Sequence, residues 1–390
     1  MKNCTVLSAV RDGTKVAWLA SVSCLALLPL GVPAAPSVFA TGLNGPVKID
    51  VTPGGAFVVS ERGSGLNDGG LSMVDWHGNV RALLSGLPSG IEVTGVPSGP
   101  TAVVLHQCCI VDLAIGEGDT LDFDVSGAPG SQVPDPTAAN SPLFSSVLRV
   151  FFSRSLDDLT SGFELSRDDH ETLADGFTVR LTNDSGDSAW LRLLADIKDF
   201  RPDPLTNVRG SNPFGMTVGK HPDTLLIADG GGNSLVQVGP FEVPKTLVRF
   251  APVANPVGVL PPLTDAVPTA VRRYDGRRYL VTLFAGVPFA EGTSSVRLVD
   301  VNTGTEAVLL SGLTSVSDVV PLSSGLYVLE LSSNVFQGAP GRLLRFASPS
   351  SAGTPIATGL VGPSGMVYSP RHRAIFVTEL FNGQIRRVPL

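Results

Sequence analysis

Five carboxylates stand at one recurrent place in this 390-residue chain. Each closes a short apolar run: FVVSE ends on Glu61, LAIGE on Glu117, LLIAD on Asp229, LYVLE on Glu330 and IFVTE on Glu379. Carboxylates that converge on one opening offer oxygen ligands to a hard cation, and Ca2+ held through Glu61, Asp229 and Glu379 is the metal chemistry this set would support. The repetition favours an architectural reading instead. An acid that recurs once per structural unit accepts N–H bonds from a neighbouring turn, because repeated units reuse their contacts.

Positions that break the repetition are better candidates for binding. Four equivalent strands carry a small residue, Ala102, Gly215, Ala270 or Gly365, where Lys48 and Asp318 stand in the other two. A charged pair beside a central opening could fix a ligand, although one intervening unit is expected to keep the two from meeting directly. The remaining chemical signals are weaker. DFDVSG (122–127) begins like a calcium loop but has Val133 at the twelfth position, and Phe123 and Val125 alternate as in a strand. RDDHE (167–171) gathers acids around His170 in a segment that reads as solvated. His77, His106, His170, His221 and His372 lack the i, i+4 pairing of a zinc protease. No G-x-S-x-G elbow, P-loop or G-x-G-x-x-G fingerprint occurs. The adjacent Cys108 and Cys109, within VVLHQCCIVDLAIG, are expected as two small core residues rather than as a vicinal disulfide.

The elements that must position these residues are repeats. A proline- or glycine-rich turn leads into a short strand: GPVKIDV, GPTAVVL, NPFGMTV, VPTAVRR, SVSDVVP and GPSGMVY. The apolar run follows, with YLVT (279–282) in the fourth unit carrying Thr282 in place of the acid, and then a third strand. A tag closes the unit, as in RALLSGL (81–87), AVLLSGL (307–313) and TPIATGL (354–360). Four short strands at this period predict propeller blades, six by motif, with a seventh, degenerate blade as the runner-up. The fold class expected is therefore all-β, a six-bladed β-propeller. The third residue of each opening strand (Ile49, Val103, Met216, Val271, Val319, Met366) is expected to fill the space between blades.

The last unit ends at QIRRVPL without a tag, and an orphan tag, SVFATGL (37–43), stands near the other end of the chain. The two are expected to pair and close the ring. The second unit is irregular. Residues 153–187 read as an insertion, FTVRLTND as an added strand and WLRLLADI (190–197) as a delayed outer strand.

Residues 1–35 are expected to be a secretory signal: Lys2, Arg11 and Lys15 precede an apolar run and a small-residue cleavage site. Residues 36–390 then form a single propeller domain, secreted or periplasmic, with no stable membrane span after cleavage. Without Lys2, Arg11, Lys15 and Asp12 the chain has 25 basic and 34 acidic residues, a formal charge of −9. That balance, without a basic cluster, argues against nucleic acid as a partner.

The ordering SNPFGMTV…LLIADGGGNSLVQV, VPTAV, AIGEGD and GLYVLEL, over residues 37–390, resembles the ScyD/ScyE family of exported, NHL-repeat-like bacterial propellers. The resemblance implies a propeller and no particular reaction. The reading favoured is a binding or scaffold module that engages a small molecule or protein at the channel mouth. The alternative is an enzyme, a metal-dependent lactonase-type hydrolase or a sugar dehydrogenase-like protein, with its site at the channel.

Overall fold

Proline opens five of six short strands: Pro46–Val51, Pro100–His106, Pro213–Val218, Pro268–Arg273 and Pro363–Ser369, with Val316–Leu322 as the sixth. Lacking an N–H, proline suits a strand that begins at a sheet edge, and each of these strands is the inner edge of its own sheet. The computed structural model describes residues 35–127, 131–137, 139–204, 206–239, 243–256, 258 and 262–390; residues 1–34, most of the expected signal segment, lie outside them.

Among the described residues the chain forms six antiparallel blades. Second strands Phe57–Glu61, Ile110–Ile115, Leu225–Asp229, Arg278–Leu283, Gly325–Glu330 and Ala374–Glu379 pair with the innermost ones. Third and outer strands follow. The outer strands are Val80–Leu87, Ser188–Asp196, Lys245–Arg249, Thr305–Leu313 and Thr354–Leu360. The sixth blade takes its outer strand, Ser37–Thr41, from the other end of the chain. Ser37 faces Arg387, Val38 faces Arg386, Ala40 faces Ile385 and Thr41 faces Gln384. The expected head-to-tail closure is present, and a seventh blade is not. Closure leaves the ring with no open blade for another chain to extend.

The apolar core is divided into six clusters, one between each pair of neighbouring blades. Ile49, Val103, Met216, Val271, Val319 and Met366 each belong to a different cluster, as alternation predicts. Every innermost strand also carries a bulge between its first and third or fourth residues. The bulge brings successive strands close. At Gly365 an added Cβ would lie 2.5 Å from the Val47 carbonyl oxygen and 2.9 Å from Lys48 Cα; at Gly215 it would lie 2.6 Å from Ala270 Cα. The small residues seen in the sequence are thus set by backbone approach. Gly365→Ala is expected to cost about 1–3 kcal/mol, the usual penalty of overpacking, read as a lower midpoint in urea denaturation.

The insertion straps the first two blades together. Phe163–Glu164 runs parallel to the outer strand of blade one, and Val179–Thr182 adds an edge to blade two. Between them lies a helix, Arg167–Ala174, started by a capping box of Ser166 and Asp169. His170 is not solvated. It is 1% exposed, with Nδ1 3.0 Å from Ser141 Oγ and Nε2 2.8 Å from the Gly86 carbonyl. Burial lowers its pKa, and it forms a polar wedge between the blades. Leu156, Leu159, Phe163 and Leu173 fill the core beneath it.

Cys108 and Cys109 also depart from expectation: they form a disulfide, in the turn between the first two strands of blade two. Cys108 is exposed rather than buried in a sheet. The carbonyls of the pair accept hydrogen bonds from Leu156 N (3.0 Å) and Phe152 N (2.8 Å), anchoring the start of the insertion.

Candidate functional site

Charges close the channel. Asp318 and Lys48 do meet, across the intervening sixth blade: Lys48 Nζ stands 3.7 Å from Asp318 Oδ2 and donates to the carbonyls of Ser317 (2.8 Å) and Ser364 (2.6 Å). Arg272 binds the same carboxylate in two places, Nε to Oδ1 at 3.0 Å and Nη2 to Oδ2 at 2.7 Å. Lys48 is 4% and Asp318 0% exposed. Burial pushes the Lys48 pKa down to about 8 although Asp318 opposes the shift. The space left beside them, about 10 Å³, is that of one water. The bulged strands bring a cation, an anion and a second cation together. Arg272 was not legible as the third member because it lies one layer further along its strand.

Above this plug runs a ring of hydroxyls. At the bulge position Thr101, Thr269, Ser317 and Ser364 donate to a carbonyl of the next blade: Pro213, Val316 (2.8 Å), Pro363 (2.7 Å) and Pro46 (3.0 Å) respectively. Val47 and Phe214 occupy the same position in blades one and three and have no hydroxyl to give. Where the ring is thus broken, a cavity of about 70 Å³ opens, bounded by Val47, Arg62, Glu92, Thr101, Asn212 and Phe214. The Phe214 ring separates it from Lys48, whose Nζ is 5.5 Å from the ring centroid.

The cavity wall is chemically uneven. Glu92, which lines the cavity, stands beside the buried carboxyl of Glu117. Burial, and then Glu92, raises the Glu117 pKa well above its ordinary 4.5. Burial lowers that of Arg62, with Glu92 acting against it. The Asn212 side-chain oxygen is buried with no hydrogen-bond partner among the described residues. Such an atom is costly unless something occupies it.

The other recurrent acids behave as turn caps. Glu61 accepts Asn44 N; Asp229 Oδ1 accepts Asn212 N (2.8 Å) and Gly232 N (2.9 Å); Glu330 Oε1 accepts Thr314 N (2.9 Å); Glu379 Oε1 accepts Val361 N (2.9 Å). Among the described residues no group of three or more acid, histidine or cysteine side chains is placed to hold one metal ion. Glu61, Asp229 and Glu379, the residues through which Ca2+ is expected, form no such group among the described residues. In the DFDVSG segment, Leu121–Phe123 pairs with Gln132–Pro134, and Asp124 Oδ1 caps its own turn by accepting Ser126 N (3.0 Å).

Two alignments also need correction. The residue that faces Pro100 is Ile115, where Glu61 faces Pro46 and Glu379 faces Pro363. Glu117 therefore lies two residues past the acid position. In blade four the position belongs to Leu283, opposite Pro268, and not to Thr282. Released from capping, Glu117 is the member of the set that faces another carboxyl.

Glu117→Gln tests that description. With a folded-state pKa above the unfolded one, the native protein holds a proton that the unfolded chain has lost, so stability falls as pH rises through that window. Glutamine keeps the size of the side chain and removes the titration. Urea midpoints at about pH 5 and pH 8 should show the wild type losing stability relative to the variant at the higher pH.

No family model and no curated protein matches the chain. Among solved structures it is similar to a putative oxidoreductase (glucose dehydrogenase) from Thermus thermophilus, at 13% identity, TM-score 0.48, over 90% of this chain and 99% of that one. It is similar to virginiamycin B lyase from Staphylococcus aureus at 11% identity, TM-score 0.43, over 91% and 98%. The PQQ-bound aldose sugar dehydrogenase from Streptomyces coelicolor stands at 11% identity, TM-score 0.41, over 91% and 98%. At these values no ligand or reaction passes from those proteins to this chain; the strand order and register establish that it is a six-bladed β-propeller.

Proposed function

We propose that the protein is an exported ligand-binding propeller whose site is the cavity over the closed channel. One observation carries this reading: the hydroxyl ring that locks the blades together is broken at Val47 and Phe214, and a cavity with an unpartnered amide oxygen lies at the break. A purely structural ring has no need of the exception. A cavity of this size takes one small group of a larger ligand, with Arg62, Thr101 and Asn212 as its polar contacts. The order of the sequence motifs supports membership of the exported ScyD/ScyE propellers.

Phe214→Thr restores the residue type found in the other blades and is expected to preserve the fold. A ligand-observed NMR screen with glucose, glucono-lactone and neutral polyols should find binders to the wild type that are lost in this variant. Binding that survives the substitution, or its absence from the whole set, counts against the site. The Glu92–Glu117 pair favours an enzyme as the second reading, since a buried carboxyl whose pKa is raised beside a second carboxyl can serve as a general acid. Turnover of the lactone, abolished by Glu117→Gln, would establish that reading over simple binding.

A further inference from the structure

A second cavity, of about 360 Å³, lies on the other side of Ser211–Asn212, between the end of blade two and the outer part of blade three. Its cations come from separate elements: Lys198 follows the outer strand of blade two, Arg201 and Arg209 sit on a two-stranded ribbon, and Arg249 ends the outer strand of blade three. The ribbon pairs Phe200–Asp203 with Asn207–Gly210 and puts Arg201 directly opposite Arg209. Like charges opposed on one face of a ribbon repel. Arg209 is neutralised, by Asp203 at 3.1 Å and Asp265 at 2.8 Å. Arg201 is not. Among the described residues it donates from Nη2 to the Gly232 carbonyl at 3.2 Å, which leaves most of its five donors unused. Arg249 and Lys198 are exposed and form no ion pair among the described residues.

Two carboxylates also line the cavity. Asp229 is committed to backbone N–H groups, and Asp196 is exposed. Ile197, Val236, Val243 and Pro244 supply apolar lining to the same cavity. Burial, followed by the charges of Arg249 and Arg209, depresses the pKa of Arg201, with Asp203 and Asp229 acting against the shift. A cleft that holds two guanidinium groups with no ion pair of their own among the described residues, beside apolar side chains, is matched by an oxyanion carried on an apolar body.

We infer that this cavity, between Arg201 and Arg249, binds a small organic oxyanion, a phosphate or carboxylate ester-sized ligand whose apolar part lies against Val236 and Val243. It does not depend on the channel-mouth cavity, and the two can be told apart.

Phenyl phosphate, phenylacetate, inorganic phosphate and benzyl alcohol are titrated calorimetrically into the full chain at low salt, where charge-assisted contacts are least screened. Phenyl phosphate or phenylacetate should bind, the stronger of the two identifying the headgroup, with inorganic phosphate about 10-fold weaker or more and benzyl alcohol silent. Arg249→Ala, at an exposed position that should not disturb folding, is expected to weaken the aryl anion at least about 10-fold, the effect of one charge-assisted hydrogen bond. Arg201→Gln should do the same, and Phe214→Thr should leave the affinity unchanged. No aryl-anion binding, equal affinity in Arg249→Ala, or loss on Phe214→Thr alone would overturn the assignment.

Discussion

Replacing Asp318 by asparagine is expected to lower the stability of the whole ring by about 3–5 kcal/mol, the cost of leaving buried charge without its partner. Asp318 is fully buried and accepts from Arg272 twice, from Val319 N at 2.8 Å and from Met366 N at 3.1 Å, with Lys48 alongside. Burial alone would raise its pKa; Arg272 and Lys48 hold it below the ordinary value instead. Asparagine keeps the size and some of the hydrogen bonds but strands two cations in a closed channel. Because Asp318 belongs to blade five, Arg272 to blade four and Lys48 to blade one, the loss should reach the whole ring.

Two further results follow from the same geometry. Lys48 already titrates at about 8 with its carboxylate beside it, so without that carboxylate it should titrate lower still, measurable by NMR of the ε-methylene or by reductive methylation. The triple variant Lys48→Met, Arg272→Met, Asp318→Leu should recover most of the stability, since an apolar set of similar volume replaces a buried ionic one at little cost. An unfolding free energy for Asp318→Asn within about 1 kcal/mol of the wild type, from urea denaturation, would mean that the charges are solvated and the channel open.

Much of this ring was legible because each blade repeats the same physical problem. The tags, the prolines and the apolar third residue of each opening strand all answer to strand pairing and inter-blade packing, which recur six times and so stand out in one sequence. The site was less legible for the opposite reason. Arg62 and Glu92 lie in loops and in no repeat, and Asn212 opens NPFGMTV at a position where other units carry Gly45, Gly99, Val267 or Gly362. Glu117 lies in LAIGE, a run that matches the acid-terminated pattern by letter while the register places Ile115 in the acid's position. One signal was available. At the residue after the opening proline the chain reads Val47, Thr101, Phe214, Thr269, Ser317 and Ser364, counting the fifth blade by register, and the two residues without a hydroxyl mark the cavity. Pairing across the channel was hidden because sequence gives blade order but not channel width. The two long side chains, Lys48 and Arg272, span a distance that small residues could not.

A chain that begins at Asn44 is expected to lose about 3–5 kcal/mol and to associate as its concentration rises. Removing Ser37–Thr41 takes away the strand paired with Gln384–Pro389. It also takes Phe39, whose ring lies 4.7 Å from that of Phe376 and 5.7 Å from that of Phe57, and with it Ala40 and Leu43 from the cluster between blades six and one. Emptying an aromatic site of this kind costs about 3–5 kcal/mol by itself. The blade that remains presents Gln384–Pro389 as an unpaired edge, and an unpaired edge recruits strands from other chains. A peptide spanning residues 36–43, added in excess, should therefore raise the melting temperature of the shortened protein and suppress its association, because it supplies the missing strand by β-augmentation. The same peptide with Ala40→Asp would place a carboxylate at a position 3% exposed beside Phe39 and Ile385 and should do neither. Wild-type melting of a monomeric shortened chain would show that the ring is held by its six inter-blade cores without the head-to-tail strand.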